Sequence, residues 1–291
     1  MKTATRAHYA RRIDKVVMYL ADHLDEQLDI FRLAEEAHLS PYHFHRVYVA
    51  MVGETVAETM KRQRLHRASI KLITSATPLA ALATEAGYGS VQAFTRAFRE
   101  AFGLPPAAYR KRGERMTLDA AIRRSLREPP RNLEPHMYPV TIEHRPAYRV
   151  ATLPHQGDYN LIGKTFDRLA VWAVGRNALG PSTQSFGIYY DDPDSLPPDK
   201  LRSDACLSVA DDFVSDADHP IKTIAGGRHA VLLHTGPYSE LHLAYAWFYR
   251  EWLPQSGEAP GDAPPYEHYL NDPRSVPPAQ LQTAICIPLK G

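Results

Sequence analysis

Apolar and polar positions in the first hundred residues alternate with the period of a helix face. Phe94, Phe98 and Phe102 fall four apart, so on a helix they form one narrow apolar stripe. Such a stripe predicts a helix that packs against a core. The opposite side of the same helix carries four polar residues, Gln92, Thr95, Arg96 and Arg99. Packing accounts for the stripe, and the polar face needs an explanation of its own.

One motif occurs twice in this part of the chain. Residues 33–53, LAEEAHLSPYHFHRVYVAMVG, align with residues 82–103, LATEAGYGSVQAFTRAFREAFG, with one extra residue in the second turn. Serine precedes the second helix of each copy as a suitable N-cap, and glycine follows it as a suitable left-handed C-cap. Each copy is therefore predicted to be a short helix, a tight turn and a second helix, which is the helix-turn-helix pattern.

The polar faces of the two second helices suit the major groove of DNA. Arginine bonds guanine and glutamine bonds adenine in bidentate fashion, while threonine and tyrosine contact thymine methyl groups or phosphates. The alternative is a solvated face without a partner, but the repetition of caps, stripe and arginine favours the DNA hypothesis. The predicted DNA-contacting residues are Tyr42, His45 and Arg46 in the first copy and Gln92, Thr95, Arg96 and Arg99 in the second.

Residues 55–74 predict one long helix between the two copies, with Thr55 as its N-cap. A rigid link of this kind would set the two polar faces about one turn of DNA apart, ~34 Å. The basic residues of this helix are expected to hold phosphates rather than to read bases. They are Lys61, Arg62, Arg64 and Arg67.

Charge is divided unevenly between the two halves of the chain. Residues 1–131 hold 22 Lys+Arg and 14 Asp+Glu, a net of +8, whereas residues 132–291 hold 12 and 19, a net of −7. A basic half beside an acidic half indicates that one half meets a polyanion, although chance surface variation gives the same imbalance. No apolar run in the sequence is long enough for a membrane span or a signal peptide, so we expect a cytoplasmic protein without a membrane partner.

The second half also repeats itself. Two strand-like segments begin at residues 140 and 221, and a helical pattern follows each of them. Residues 186–209 then match residues 266–289 at a constant offset of 80. The repeat predicts two β-α-β-β units related by a pseudo-two-fold axis, because pairing them buries a strand edge and a helix face that each alone leaves open. A groove along such an axis is a usual place for a ligand.

The repeat is most informative where Gly187 in one unit corresponds to Glu267 in the other. A carboxylate buried among aromatic rings is costly when it is unpaired, and a flat organic cation would offset that cost by charge pairing and cation–π contact. The alternative is that Glu267 faces solvent and the aromatic residues form ordinary core. The predicted ligand-contacting residues are Glu267, Tyr269, Tyr189, Trp172, Trp247 and Phe248.

Metal and cofactor chemistry is not expected. His43 and His45 are two apart on a predicted helix and point to different sides, so they would not share a metal ion. The sequence contains no phosphate-binding glycine loop, so we expect no cofactor. Cys206 and Cys286 occupy equivalent strand positions, where buried thiols are the expectation and a redox pair is the alternative.

Residues 8–112 resemble the DNA-binding domain of AraC/XylS-type transcription regulators. The resemblance rests on the two helix-turn-helix copies, the linking helix and the ending AFTRAFREAFGLPPAAYRK. It implies an all-α double helix-turn-helix domain that binds double-stranded DNA through the residues named above, in a regulator that acts together with RNA polymerase.

Residues 138–291 resemble a GyrI-like effector domain, also called a SOUL-related or multidrug-binding domain, through the doubled architecture and the motif YEHYLNDP. The resemblance implies an α+β domain of two pseudo-symmetric β-α-β-β units, with Glu267 as the ligand glutamate and Tyr269 as a pocket wall. We therefore expect a transcription regulator rather than an enzyme, with a DNA-binding domain over 1–112, a linker over 113–137 and an effector domain for a small organic ligand over 138–291.

Two alternatives to ligand sensing stay open for the second half. A buried glutamate with a raised pKa can act as a general base, so Glu267 with a nearby tyrosine could assist hydrolysis of a reactive small molecule. Alternatively, the acidic half binds a protein partner instead of a ligand, which a small or filled pocket would favour.

Overall fold

The computed structural model describes residues 3–27, 29–114, 138–193 and 195–291, apart from the side chains of residues 3–6, 42 and 43. Residues 3–114 are called the helical part, and residues 138–291 are called the sheet part. The helical part contains α1 (Thr3–Asp22), α2 (Ile30–Glu36), α3 (Pro41–Val52), α4 (Val56–Thr74), α5 (Leu79–Glu85), α6 (Val91–Phe102) and α7, described over residues 106–114.

Both predicted helix-turn-helix copies form, as α2 with α3 and as α5 with α6. The second helices end at Gly53 (φ +86°) and Gly103 (φ +74°), in the left-handed region that glycine adopts without strain. Ser90 caps α6 by accepting a hydrogen bond from the Ala93 N–H at 3.2 Å. The Ser40 side chain makes no such bond to the described part of α3, and Pro41 starts that helix with its fixed φ instead.

Helix α4 begins with a capping box at Thr55. The Thr55 hydroxyl accepts from the Glu58 N–H at 3.2 Å, and the Glu58 carboxylate accepts from the Thr55 N–H at 2.7 Å. Two N–H groups that the first turn leaves unpaired are thereby satisfied. The predicted cap is confirmed, and α4 runs as one helix between the two copies.

Two separate apolar cores hold the helical part. The phenylalanine stripe of α6 forms one of them, with Phe94 and Phe98 fully buried and Phe98 stacked on Phe102 at 4.3 Å. The other core joins α1, α2 and α3, and it includes Val171 from the sheet part. Because Val171 is fully buried there, the first helix-turn-helix copy completes its core with a residue more than a hundred positions away.

The sheet part is an eight-stranded antiparallel sheet with helices on one face. The strand order is β1-β6-β8-β7-β3-β4-β2-β5. The helices are α8 (Gly163–Arg176), α9 (Leu241–Trp247) and α10 (Leu253–Ser256), with a π-helical turn at Phe248–Trp252. The strands are β1 (Val140–Arg145), β2 (Tyr148–Gln156), β3 (Ser185–Tyr189), β4 (Arg202–Ser208), β5 (Ile221–Ile224), β6 (Gly227–Thr235), β7 (Tyr266–Tyr269) and β8 (Gln282–Pro288).

The strand order confirms the predicted pair of pseudo-symmetric units. Exchanging β1–β4 with β5–β8 gives the same order read from the opposite edge of the sheet. The central pair is β3 with β7, and it places Gly187 directly opposite Glu267. Each observed unit has one strand more than the predicted β-α-β-β unit. Each initial strand-like segment breaks into two strands, at Pro146-Ala147 and at Ala225-Gly226, and the first strand of each unit pairs with the other unit.

The sheet curls so that these two breaks meet. A Cβ atom added to Gly226 would lie only 2.6 Å from the Ala147 nitrogen, so a side chain at this position would prevent the contact. The face away from the helices thus encloses its own apolar core, which contains Phe186, Cys206 and Cys286. Both cysteines are free and buried, as expected, and burial raises the pKa of the Cys286 thiol to about 11. Thiols held in this protonated form are poor nucleophiles.

The predicted linker lies largely outside the described residues, which omit 115–137. Its first two residues, 113 and 114, belong to helix α7. Within the ranges that the structure describes, none of the helices is both long and apolar enough to cross a membrane.

Candidate functional site

Most of the polar residues proposed for DNA are exposed on α3 and α6. Gln92, Arg96 and Arg99 are exposed on α6, and His45 and Arg46 are exposed on α3. Thr95 is half-buried, and the Tyr42 side chain is outside the described residues. Five of the seven predicted side chains are therefore exposed, and Arg46 among them already has an interaction within the chain.

The sheet part approaches these two helices at their C-terminal ends. At the end of α6, a Cβ atom on Gly103 would be 3.7 Å from the Ala279 methyl group. At the end of α3, Met51 and Val52 share a small surface depression with Ala170 of α8. The N-terminal turns of a recognition helix carry the base contacts in known helix-turn-helix complexes, and neither contact involves those turns.

The expectation that the basic residues of α4 hold phosphates is wrong for its three arginines. Arg64 donates to the Leu24 and Glu26 carbonyls, both at 2.6 Å. Arg67 donates to the Asp25 carboxylate at 2.5 Å, and Arg62 binds carboxylates of both parts of the chain. These guanidinium groups already have protein acceptors, which the sequence alone did not reveal. Lys61 remains exposed.

A cavity of about 1750 Å³ lies between the two parts of the chain. Its walls come from the central strands, from helices α8 and α9 and from helix α4. The predicted groove along the pseudo-two-fold axis is therefore present, and the helical part covers one side of it. A space of this size is neither small nor filled by side chains, which removes the expected support for a protein partner in place of a ligand.

Glu267 lies at the cavity wall with only 3% of its surface exposed. The Tyr269 hydroxyl donates to its carboxylate at 2.8 Å, and the Tyr189 and Tyr269 hydroxyl oxygens are 2.7 Å apart. Burial raises the pKa of Glu267 from 4.5 to about 7, while the hydroxyls of Tyr269, Tyr189 and Tyr245 oppose the shift. The alternative that Glu267 points to solvent is therefore wrong.

Gly187 makes room for these tyrosines. A Cβ atom at this position would be 2.8 Å from the Tyr269 hydroxyl oxygen and 2.9 Å from the Tyr189 ring. The unit without the carboxylate thus provides the space in which the hydroxyls reach the carboxylate of the other unit. The break in the repeat at this position is a structural requirement of the site.

Three of the six predicted ligand residues are brought together, namely Glu267, Tyr269 and Tyr189. The other three, Trp172, Trp247 and Phe248, are not among the residues that line the cavity. Trp172 stacks on His219 at 4.2 Å and donates its indole N–H to Asp216. Trp247 packs on Tyr138, and Phe248 is fully buried in the core between α9 and the sheet.

The aromatic residues that do line the cavity include Phe166, Tyr238, Tyr245 and Tyr249. Tyr238 and Phe166 both meet the Tyr269 ring edge-on, at 5.3 and 5.2 Å. Tyr245 and Tyr249 are four apart, so they lie on one face of their helix. That spacing was a usable signal in the sequence, and Trp247, two positions after Tyr245, lies about 200° around the helix from it.

Four charged side chains, here called the bridging ion cluster, join the two parts beside the cavity: Glu54, Arg62, Asp167 and Arg274. Asp167 of α8 accepts from Arg62 at 3.1 Å and from Arg274 at 2.9 Å. Arg62 also donates to Glu54 at 2.7 Å. Asp167 is 3% exposed, so its charge is compensated by these arginines rather than by solvent.

Comparison with known proteins agrees with this architecture. The family model for the GyrI-like small molecule binding domain matches residues 138–290. The chain belongs to the GyrI-like family. A model for a helix-turn-helix domain matches residues 33–112, so the GyrI-like domain follows an AraC-type DNA-binding domain.

The relatives of this GyrI-like protein include regulators of transcription. The protein named Probable transcriptional regulator YgiV, from Escherichia coli (strain K12), is 32% identical over 148 residues, which are 50% of this chain and 91% of that relative. Right origin-binding protein from the same strain is 30% identical over 102 residues, or 35% of each chain. The solved DNA-binding domain of AdpA in complex with a target DNA is 30% identical, with a TM-score of 0.32, over 40% of this chain and 98% of that one.

Metal binding has no support in the described residues, which contain no group of three histidine, cysteine, aspartate or glutamate side chains placed to hold an ion.

Proposed function

We propose that this GyrI-like protein is a transcription regulator that binds an organic cation beside Glu267. In this proposal, residues 1–112 bind double-stranded DNA through α3 and α6, and residues 138–291 bind the ligand. The observation that carries the ligand proposal is a buried carboxylate whose hydrogen-bonding neighbours are neutral tyrosine hydroxyls.

The charge of the ligand follows from the surroundings of Glu267. In the described residues, the side chains that act on its pKa through hydrogen bonds are Tyr269, Tyr189 and Tyr245, and none of them is a cation. An ionised carboxylate in such a place is costly until a positive group pairs with it. Each well-placed ring would add roughly 0.5–2 kcal/mol of cation–π attraction. An aromatic cation satisfies both requirements.

Isothermal calorimetry with two matched compounds tests this proposal. Tetraphenylphosphonium is an aromatic cation, and triphenylphosphine oxide is an uncharged compound of similar shape. At pH 8 we expect the cation to bind the full chain and to bind Glu267→Gln at least about tenfold more weakly, a loss of ~1.4 kcal/mol. The uncharged compound should not distinguish the two proteins. Equal affinity of the cation for both proteins would contradict the charge pairing.

The DNA proposal predicts different effects for arginines in different places. Arg96→Ala removes an exposed guanidinium from α6, and we expect a loss of ~1–3 kcal/mol with relaxed preference at one base pair. Lys200→Ala removes an exposed cation of the sheet part and serves as the control. Footprinting on a selected binding site measures both, and an unchanged footprint for Arg96→Ala would refute its role as a base-reading residue.

We also propose RNA polymerase as the partner through which the bound regulator acts. A regulator that binds DNA and a ligand needs a ligand-dependent effect on transcription, and a coupling of ~1–3 kcal/mol is sufficient. In vitro transcription from a template that carries the selected site, with and without tetraphenylphosphonium, measures it. An identical transcript level in both conditions would contradict this step.

Hydrolysis is a second candidate function, favoured by one observation. A general base works best with a pKa near the operating pH, and that of Glu267 is about 7. If Glu267 acted as a general base, incubation with p-nitrophenyl acetate would reveal turnover that Glu267→Gln abolishes. We expect equal rates for the two proteins, and a faster wild type would make the chain an enzyme.

A further inference from the structure

We propose that the ligand site is shared by both parts of the chain: the cavity side of α4, with Gln63, His66 and Ile70, forms a wall that contacts the molecule paired with Glu267. This inference rests on the proposed function of the same cavity. It adds that the helical part itself binds the ligand, so the ligand favours the docked arrangement of the two parts.

Helix α4 lies across the groove between the two pseudo-symmetric units. Its His66 Nε2 donates to the Asn160 carbonyl at 3.0 Å, on the 3₁₀ turn Tyr159–Leu161 of the first unit. One turn later, the Ser69 hydroxyl oxygen is 3.1 Å from that of Ser239, on the equivalent 3₁₀ turn Tyr238–Glu240 of the second unit. The helix is therefore held at both edges of the groove and spans the space between them.

Helix α4 lines the cavity from Glu58 to Ile70. Arg62, His66 and Ile70 are four apart and all line the cavity, and Gln63 lies beside them. All four are half-buried. These residues are part of a broader surface of α4 that borders the ligand space.

Aromatic contacts link this wall to the carboxylate. Phe166 meets the Tyr269 ring edge-on, and the next residue, Asp167, binds Arg62 and Gln63 of α4. Tyr238 also meets the Tyr269 ring edge-on, and burial raises the pKa of Tyr238 while the charge of Arg62 acts to lower it. Both rings therefore belong to elements that also contact α4.

Two buried polar atoms at this boundary have unused hydrogen-bonding capacity. The Gln63 Oε1 acceptor and the Arg274 Nε donor both lie on cavity residues and have no partner among the described residues. Buried polar atoms are normally satisfied. A ligand would supply such partners if the Gln63 and Arg274 side chains turned toward it. Pockets for drug-sized ligands occupy about 300–1,000 Å³, so a cavity of about 1750 Å³ fits an extended aromatic cation better than a compact one.

A reversible cross-link tests the shared site in the full chain. Ser69→Cys with Ser239→Cys places two thiols where hydroxyl oxygens are 3.1 Å apart, and Cys206 and Cys286 are fully buried and do not compete. Rhodamine 6G, an extended aromatic cation, is the probe, and fluorescence anisotropy measures its Kd for the oxidised and the reduced protein. We expect the oxidised form to bind as tightly as the reduced form or more tightly. Weakening by about tenfold or more on oxidation would overturn the inference.

A bulky substitution on α4 provides a second, independent test. Ile70→Trp fills part of the cavity from the helical part, whereas Ala57→Trp adds a ring on an exposed position of the same helix, outside the cavity lining. We expect Ile70→Trp to weaken rhodamine 6G binding by about tenfold or more and Ala57→Trp to leave it unchanged. Circular dichroism melting verifies that both variants fold, and wild-type affinity in a folded Ile70→Trp would overturn the inference.

The variant Glu267→Gln distinguishes a failure of the shared wall from a failure of the proposed function. If it weakens rhodamine 6G binding while Ile70→Trp does not, the carboxylate site stands and the shared wall is refuted. If Glu267→Gln has no effect, the proposed function fails, and the shared wall fails with it.

Discussion

The buried carboxyl of Glu267 makes folding stability depend on pH. The direction of this dependence follows from the direction of its pKa shift. Its pKa is about 7 in the folded protein and 4.5 as the ordinary value, chiefly because burial disfavours the charge. Between these values the folded state binds more protons than the unfolded state, so this group lowers stability as pH rises from about 4.5 to 7. Above pH 7 its effect is constant.

The size of the effect follows from the two pKa values. A difference of roughly 2.5 pH units corresponds to about 3 kcal/mol. Most of it, about 2.5 kcal/mol, develops between pH 5 and pH 8. The amide of Glu267→Gln does not ionise, and its oxygen can still accept from the Tyr269 hydroxyl, so the variant should lack this loss.

Urea unfolding at pH 5 and pH 8 measures the effect for the wild type, for Glu267→Gln and for Glu100→Gln. Glu100 is exposed on α6 and serves as the matched control. We expect the stability difference between Glu267→Gln and the wild type to grow in favour of the variant by about 2.5 kcal/mol from pH 5 to pH 8. A difference that is the same at both pH values, or that matches the Glu100→Gln control, would refute the buried-carboxylate argument.

Three further substitutions test the contacts around the cavity. Asp167→Asn leaves two arginines without their shared buried partner and should lower the unfolding free energy by about 3 kcal/mol, whereas Asp25→Asn, at a largely exposed ion pair, should cost less than about 1 kcal/mol in the same urea titration. Gly187→Ala should push the Tyr269 hydroxyl away from the Glu267 carboxylate. The loss of this one hydrogen bond should weaken tetraphenylphosphonium binding at pH 7 roughly fivefold. An unchanged affinity in calorimetry would contradict this. Val171→Ala should cost about 2 kcal/mol because it opens the core shared with α1, and a loss below about 0.5 kcal/mol would show that this core is not continuous.

Periodicity and repetition in the sequence were sufficient to predict much of the fold. The two helix-turn-helix copies followed from the phenylalanine stripe and the glycine caps, because both signals depend on local backbone geometry. The pairing of Gly187 with Glu267 followed from the repeat, since two related units that meet at their axis must bring equivalent positions together. The strand breaks at Pro146 and Gly226 were local turn signals inside segments that we treated as single strands.

The composition of the site was harder to predict because it depends on which side of a helix is buried. Phe166 and Ala170 of α8 line the cavity, and Trp172 is two positions further, about 200° around the helix. Likewise, the sequence of α4 shows basic residues but not their acceptors. Asp167, which binds Arg62, is 105 positions away, so only the tertiary structure shows that this guanidinium is unavailable to phosphate.

The pH dependence of cation binding tests the central claim, that the charge of Glu267 recognises the ligand. With a pKa of about 7, the carboxyl is roughly one-tenth ionised at pH 6 and nine-tenths ionised at pH 8. Calorimetry with tetraphenylphosphonium should therefore show an affinity about tenfold higher at pH 8 than at pH 6. The other ionisable side chains of the cavity are common to the wild type and Glu267→Gln, so the variant should show no such rise. An affinity that does not change with pH, or a rise that persists in Glu267→Gln, would contradict the account.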